Sequence, residues 1–375
     1  MDASHLPDNE VHNSVSRRGF FRLSSAGAVA AAVGHGLSAS PAFAAQGMLA
    51  VQAQMPMLDP QMQAVIDELV AFEAPKLTDM NPTNARQGTP LANAVQAVLT
   101  KQGKPPLEPV VNIAHRLIPG GAGQQMLIRI YQPAGDGPFP ALVYFHGGGF
   151  VIANLDVYDS SCRALTNAAN CAVISVAYRL APEAKFPAAP EDAFAAYKWV
   201  LQNAASIRVD PSRVAVGGES AGGNLATVTA LLARDRGAQM PVHQMLIYPV
   251  TKLSTDFPSH QAFVNTMPLA TPALVWFYNN YVRRASDANN PYASPLLARS
   301  LAGLPSATVI TAEVDPLRDE GEAYANRLRE AGIAVTATRY LGVTHEFFGL
   351  AGIIDKAKQA VAEAATGLKT AFGTA

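Results

Sequence analysis

Two glycine-flanked segments carry the residues best suited to chemistry. Ser220 stands in GGESAGG, in the spacing G-x-S-x-G between Gly218 and Gly222. Glycines there permit a sharp turn that presses neighbouring chain together and leaves the serine projecting. The second segment is HGGGF, running from His146 to Phe150. Three consecutive glycines let backbone N–H groups face a substrate oxygen without Cβ obstruction, as stabilisation of an oxyanion requires. Together they point to acyl transfer through a serine. A serine hydroxyl is a weak nucleophile at neutral pH and needs a base. Three of the eight histidines lie in the first 44 residues, which leaves His115, His146, His243, His260 and His345. His146 opens the glycine run and reads as a brace for that loop.

The elements that must position these residues follow from periodicity. Strands are expected at about residues 110–118, 126–131, 141–146, 171–178, 213–217, 244–248, 307–311 and 334–340. The later ones are short, apolar and unalternating, as suits a parallel sheet covered on both faces. Helix-period stretches lie between them at 160–169, 190–203, 221–236 and 319–331, the last ended by Gly332. Strand and helix alternate, so the fold class is α/β, doubly wound, with the first two strands pairing as a hairpin. Two segments fall outside this rhythm. Residues 57–104 contain the amphipathic run LDPQMQAVIDELVAF and the helix-like TPLANAVQAVLTKQ. Residues 251–304 join two strands through a connection far longer than usual and carry Trp276, Phe277, Tyr278 and Tyr281. An apolar cap over the carboxyl edge of the sheet accounts for both.

In this frame Ser220 sits between a strand and a helix, where the helix dipole favours developing negative charge. HGGG ends an earlier strand. That is the order expected of an α/β-hydrolase, in which the N–H after the nucleophile completes the oxyanion hole. The donors are therefore Gly148, Gly149 and Ala221. His345 follows the last strand, after a loop at 341–344, and precedes an apolar helix from Phe347, so it can return beside Ser220. His115 on the first strand, His243 at a strand start and His260 in the long insertion read as structural or surface residues. The orienting acid belongs between serine and histidine in chain order, and Asp315 in TAEVDPLRDEG occupies that place. Glu313, close to the strand, and Asp319, inside the next helix, are the alternatives.

The N-terminus reads as an address. SRRGFFR at 16–22 resembles the signal of the twin-arginine (Tat) export route, the alanine-rich stretch behind it is a poor membrane anchor, and Ala42, Phe43 and Ala44 offer an A-x-A cleavage site. The expectation is a signal peptide over residues 1–44, a mature chain of 45–375, passage through the Tat export machinery and a periplasmic or secreted location, with no stable membrane span in the mature protein. The chain has 28 Lys and Arg against 29 Asp and Glu, a net charge of −1, which gives no electrostatic case for nucleic acid. With 49% hydrophobic and 15% charged residues it can bury a large core. Cys162 and Cys171 each sit in apolar sequence and read as buried, unreactive thiols.

These motifs resemble the hormone-sensitive-lipase-like branch of the α/β-hydrolases, which includes the bacterial family IV esterases. The resemblance covers residues 58–350. It rests on HGGGF, YRLAPE at 178–183 followed by FPAAPEDA, GESAGG, YPV at 248–250, DPLRDEG and His345. It implies hydrolysis of carboxylic esters, usually of short to medium acyl chains, under a helical cap and without metal or organic cofactor. Phe150, Trp276 and Phe277 are the candidate lining of the pocket for a small-molecule ester. Many members have Asp where this chain has Glu219, and Gly where it has Glu346, which could alter the field around His345. An amidase or formamidase would use the same triad. A peptidase of this fold would want a propeller-like repeat, and none appears. A non-catalytic ligand receptor on this scaffold usually lacks a triad member. A homo-oligomer is left open.

Overall fold

Alternation along the strands sorts the core into two layers. On β3 (Phe139–Phe145), Ala141, Val143 and Phe145 pack into one apolar layer while Leu142 and Tyr144 pack into the other. Successive side chains on a strand point to opposite faces, so an unbroken apolar run is what a sheet covered on both sides demands. All eight expected strands form in this computed structural model, which describes residues 56–375 apart from 89 and 106. The expected Tat signal and cleavage site lie outside the described residues.

Around β3 lie β1 (Asn112–Pro119), β2 (Gln125–Gln132), β4 (Ala172–Val176), β5 (Val209–Glu219), β6 (His243–Ile247), β7 (Ser306–Val314) and β8 (Val335–Thr344). They make one sheet in the order β1-β2-β4-β3-β5-β6-β7-β8. The β1–β2 hairpin is antiparallel, β2 also meets β4 antiparallel, and every pairing from β4 through β8 is parallel. This is the α/β-hydrolase fold.

Two details depart from expectation. Residues 341–344 are not a loop but the end of β8, where Thr344 pairs with Val314 across a register shift in β7. The shift lets β8 continue past Gly342, whose φ is +69°. Phe347 does not open a long helix either. Gly349 and Gly352 weaken helix formation there, so Phe347–Leu350 makes a single 3₁₀ turn and the C-terminal helix begins at Asp355.

The helices, in chain order, are α1 (Pro60–Ala71), α2 (Pro82–Gln87), α3 (Pro90–Lys101), α4 (Asp159–Ala169), α5 (Ala188–Asn203), α6 (Ala221–Asp235), α7 (Pro258–Ala262), α8 (Thr271–Tyr281), α9 (Arg318–Glu330) and α10 (Asp355–Phe372). α1 starts where Asp59 accepts the N–H of Gln61 at 2.9 Å and Pro60 supplies a preset φ. Met62, Val65, Ile66 and Leu69 form its buried stripe. Asp59 also donates its N–H to Gly342 O at 2.8 Å, which fastens α1 to β8. α4 and α10 share this layer, while α5, α6 and α9 cover the other face. Among the described residues no helix is long and apolar enough to cross a membrane.

Among the described residues, neither outlying segment adds a strand. The insertion holds α7, α8 and two 3₁₀ turns. Trp276 of α8 donates its indole N–H to Met80 O at 3.1 Å. Arg86 of α2 donates to Val151 O and Ala181 O, each at 2.7 Å, and to both carboxylate oxygens of Glu183. Residues 57–104 therefore touch both the insertion and the chain that adjoins HGGGF.

Candidate active site

β5 ends at Glu219 and α6 begins at Ala221, so Ser220 is the single residue of the turn. Its φ of 56° and ψ of −117° are strained for a residue with a side chain. The surroundings hold it there. Ser220 donates its N–H to Ile247 O at 2.9 Å, and its carbonyl accepts from Asn224 and Val250, each at 3.1 Å. A Cβ at Gly218 or Gly222 would run into Phe145 O, so the end of β3 lies directly against the elbow. Ser220 itself is 5% exposed.

That same end of β3 leads into HGGGF. Gly148 and Gly149 have φ of +96° and +58°, and a Cβ at either would collide, with Ile152 O at the first and with the Phe277 ring at the second. Neither donates its N–H to another protein group among the described residues. The N–H of Ala221 opens α6 and so has no partner within that helix. His146 is buried, stacked on Tyr178 at 4.4 Å, with Nδ1 2.7 Å from Gly147 O. Tyr178 donates its hydroxyl to His146 O at 2.8 Å. Burial pushes the His146 imidazole down to about 4, so it is neutral near pH 7. It has the contacts of a brace.

Asp315 follows β7 and His345 follows β8. Their side chains meet in the interior, with His345 Nδ1 2.7 Å from Asp315 Oδ2. Asp315 is fully buried, and its Oδ1 accepts the N–H of Leu317 at 2.9 Å. Burial alone would lower the His345 pKa, but Asp315, then Glu346 and Glu219, outweigh it and hold the group above 6.5. The alternative acids are committed elsewhere. Glu313 accepts from Gly342 N–H at 2.7 Å, and Asp319 accepts from Ser259 N–H at 2.8 Å. The remaining histidines also have other partners. His115 accepts from Arg129 at 2.8 Å, His243 lies against Ser306 and Thr308, and His260 is buried 3.2 Å from Glu320. Ser220 Oγ is not hydrogen-bonded to His345 in this structure. Nε2 of His345 instead lies 3.6 Å from Glu346 Oε1.

The candidate pocket residues gather at the HGGGF loop. Phe150, with a φ of 65°, stacks on Tyr281 at 3.9 Å between centroids. Phe277 packs on Gly149, and Trp276 meets Phe277 edge-on at 5.2 Å. What sequence reasoning missed is a ring of tyrosines. Tyr144 and Tyr248 each donate to Glu219 at 2.5 Å, and Tyr158 donates to the Glu346 carboxylate at 2.8 Å. Tyr144 and Tyr158 lie in ordinary apolar strand and loop sequence, and no motif marks them. Cys162 and Cys171 are free and buried, and burial pushes the Cys171 thiol up to about 12.

Comparison with known proteins finds relatives of this chain. A family model described as alpha/beta hydrolase fold matches residues 142–349. Carboxylic ester hydrolase LipN of Mycobacterium tuberculosis is 46% identical over 247 residues, covering 64% of this chain and 65% of its own, just under two thirds. Ethyl acetate hydrolase of Pseudomonas putida is 41% identical over 241 residues, 63% of this chain and 76% of its own. A solved hyperthermophilic esterase from the archaeon Pyrobaculum calidifontis superposes with a TM-score of 0.77 at 40% identity, covering 85% of this chain and 100% of that one.

Proposed function

We propose that this chain, a member of the alpha/beta hydrolase family, is a carboxylic ester hydrolase in which Ser220, His345 and Asp315 perform the reaction as a serine triad. Ser220 Oγ attacks the ester carbonyl while Nε2 of His345 takes its proton, and Asp315 holds Nδ1–H so that Nε2 is the basic nitrogen. The serine–histidine contact tightens in the substrate complex, as catalytic hydrogen bonds commonly do. The N–H groups of Gly148, Gly149 and Ala221 receive the oxyanion, each donor supplying about 3 to 4 kcal/mol of transition-state stabilisation. His345 then protonates the leaving alcohol, and water releases the acyl group through the same base. The observation that carries this reading is the buried 2.7 Å contact between His345 and Asp315.

The substrate is a small ester of short to medium acyl chain. Residues 57–104 and 251–304 act as its cap, with Phe150, Trp276 and Phe277 lining the pocket. The strained elbow and the free N–H groups of the glycine loop support acyl transfer. SRRGFFR and the A-x-A site support Tat export of the folded enzyme to the periplasm or beyond.

Ser220→Ala tests the reading. The variant is expected to keep the far-UV circular dichroism and melting temperature of the parent and to lose hydrolysis of a short p-nitrophenyl ester. A phosphonate probe is expected to label Ser220 in the parent only. Turnover at the parental rate in Ser220→Ala would sink the proposal.

A further inference from the structure

His345 is flanked by carboxylates on both ring nitrogens. Asp315 Oδ2 is 2.7 Å from Nδ1, and Glu346 Oε1 is 3.6 Å from Nε2. Asp315 accepts from Nδ1–H, so a neutral imidazole presents its lone pair at Nε2. An ionised Glu346 would then set one lone pair against another. A proton on Nε2 turns that repulsion into attraction.

The position of Glu346 is built rather than incidental. Its φ is 70° and ψ 5°, the left-handed region that a glycine adopts freely and other residues rarely do. The carboxylate is gripped by the Tyr158 hydroxyl, 2.8 Å from Oε1 and 2.9 Å from Oε2. Tyr158 is 4% exposed and lies against Gly147, where a Cβ would strike its hydroxyl. It therefore ties the oxyanion loop to the histidine loop.

We propose that Glu346, held by Tyr158, is a positioning residue for His345: it stabilises the imidazolium from the Nε2 side, so the base becomes free only as rising pH removes the proton the pair shares. This rests on His345 serving as the base in ester hydrolysis. The groups facing His345 from the other elements are Asp315 after β7, Glu219 at the end of β5, and Tyr248 after β6, whose ring centroid is 4.5 Å away. Tyr278 of α8 faces Asp315 from the cap side. Neither Glu219 nor Glu346 is paired with a Lys or Arg among the described residues, so no cation offsets their field at His345. Burial pushes the Glu346 carboxyl up while His345 and Tyr158 pull it down, and burial prevails. The resulting pair of a reluctant carboxyl and a retained imidazole proton follows from that balance.

The test is the pH profile of kcat/KM on a short p-nitrophenyl ester for the parent, Glu346→Gln and Glu346→Gly. The glycine variant takes the left-handed conformation without strain and guards against misfolding of the first. Both are expected to move the acid limb down by about one pH unit, making hydrolysis about tenfold faster well below the limb. An acid limb that stays in place or moves up overturns the proposal. NMR titration of the His345 ring in Ser220→Ala and in Ser220→Ala/Glu346→Gln reads the same shift without turnover. If the parent shows no Ser220-dependent hydrolysis, the triad reading fails, and the ring titration still decides whether Glu346 holds the proton.

Discussion

Asp315 Oδ2 and His345 Nδ1 lie 2.7 Å apart in the interior although 30 residues of chain separate them. β7 and β8 are adjacent and parallel, so the residues that leave their carboxyl ends arrive at one edge of the sheet. Removing the charge of Asp315 while keeping its shape isolates its part. In Asp315→Asn the amide can donate to Nδ1 and favour the tautomer with the proton on Nε2, where it blocks the base. A fall in kcat of about 10⁴-fold with little change in KM is expected, read from steady-state kinetics, with a melting curve to show that the fold persists.

Gly222→Ala tests the packing of the elbow. The added Cβ would enter the space of Phe145 O, which is backbone and has nowhere to go. The expected outcome is loss of about 1–3 kcal/mol of stability, as for an overpacked core, together with lost activity because α6 must back away from β3. A urea unfolding midpoint equal to that of the parent would contradict the close approach.

Asp192 carries a different load. Fully buried, it accepts from Arg179 Nε at 2.7 Å, from the N–H groups of Arg179 and Gly121 at 3.0 and 2.8 Å, and from Gln124 at 2.9 Å. Burial raises its pKa, but these partners together outweigh it, and the net is below 3.8. A lowered carboxyl pKa stabilises the fold above the unfolded value of about 4 and stops doing so as pH falls through the folded one. Asp192→Ala is expected to cost about 3–5 kcal/mol near pH 7. Asp192→Asn should show a flatter fall in melting temperature below about pH 4.

Glu219 has the opposite sign. Burial, reinforced by Glu346 and opposed by the hydroxyls of Tyr144 and Tyr248, pushes its carboxyl up to about 7. The folded state then binds a proton that the unfolded chain has released, so stability falls as pH rises from 4.5 to about 7. Glu219→Gln removes that loss. Its melting temperature should decline less than that of the parent between pH 5 and 7, and a parallel decline would refute the assignment.

Much of this site was legible in the chain. Gly148 and Gly149 mark a loop because their positive φ angles favour glycine, and such local demands leave a trace in composition. Ser220, Asp315 and His345 were legible through order, since each follows a strand and parallel strands deliver their carboxyl ends to one edge. The errors lay where one element hands over to the next. The register shift that carries β8 to Thr344 depends on its pairing with β7, and the 3₁₀ turn after His345 depends on Gly349 and Gly352 interrupting an apolar run.

The sequence by itself determined the strand and helix alternation, the glycine turns and the candidates for the reacting groups, because hydrophobic period and forced backbone angles are local properties. Only the tertiary structure decided that Tyr144 and Tyr248 would close on Glu219 and that Tyr158 would hold Glu346 beside His345. Those tyrosines come from β3, from the chain after β6 and from the chain before α4. Strand register and side-chain direction bring them to one point, and neither is written in the spacing of residues along the chain.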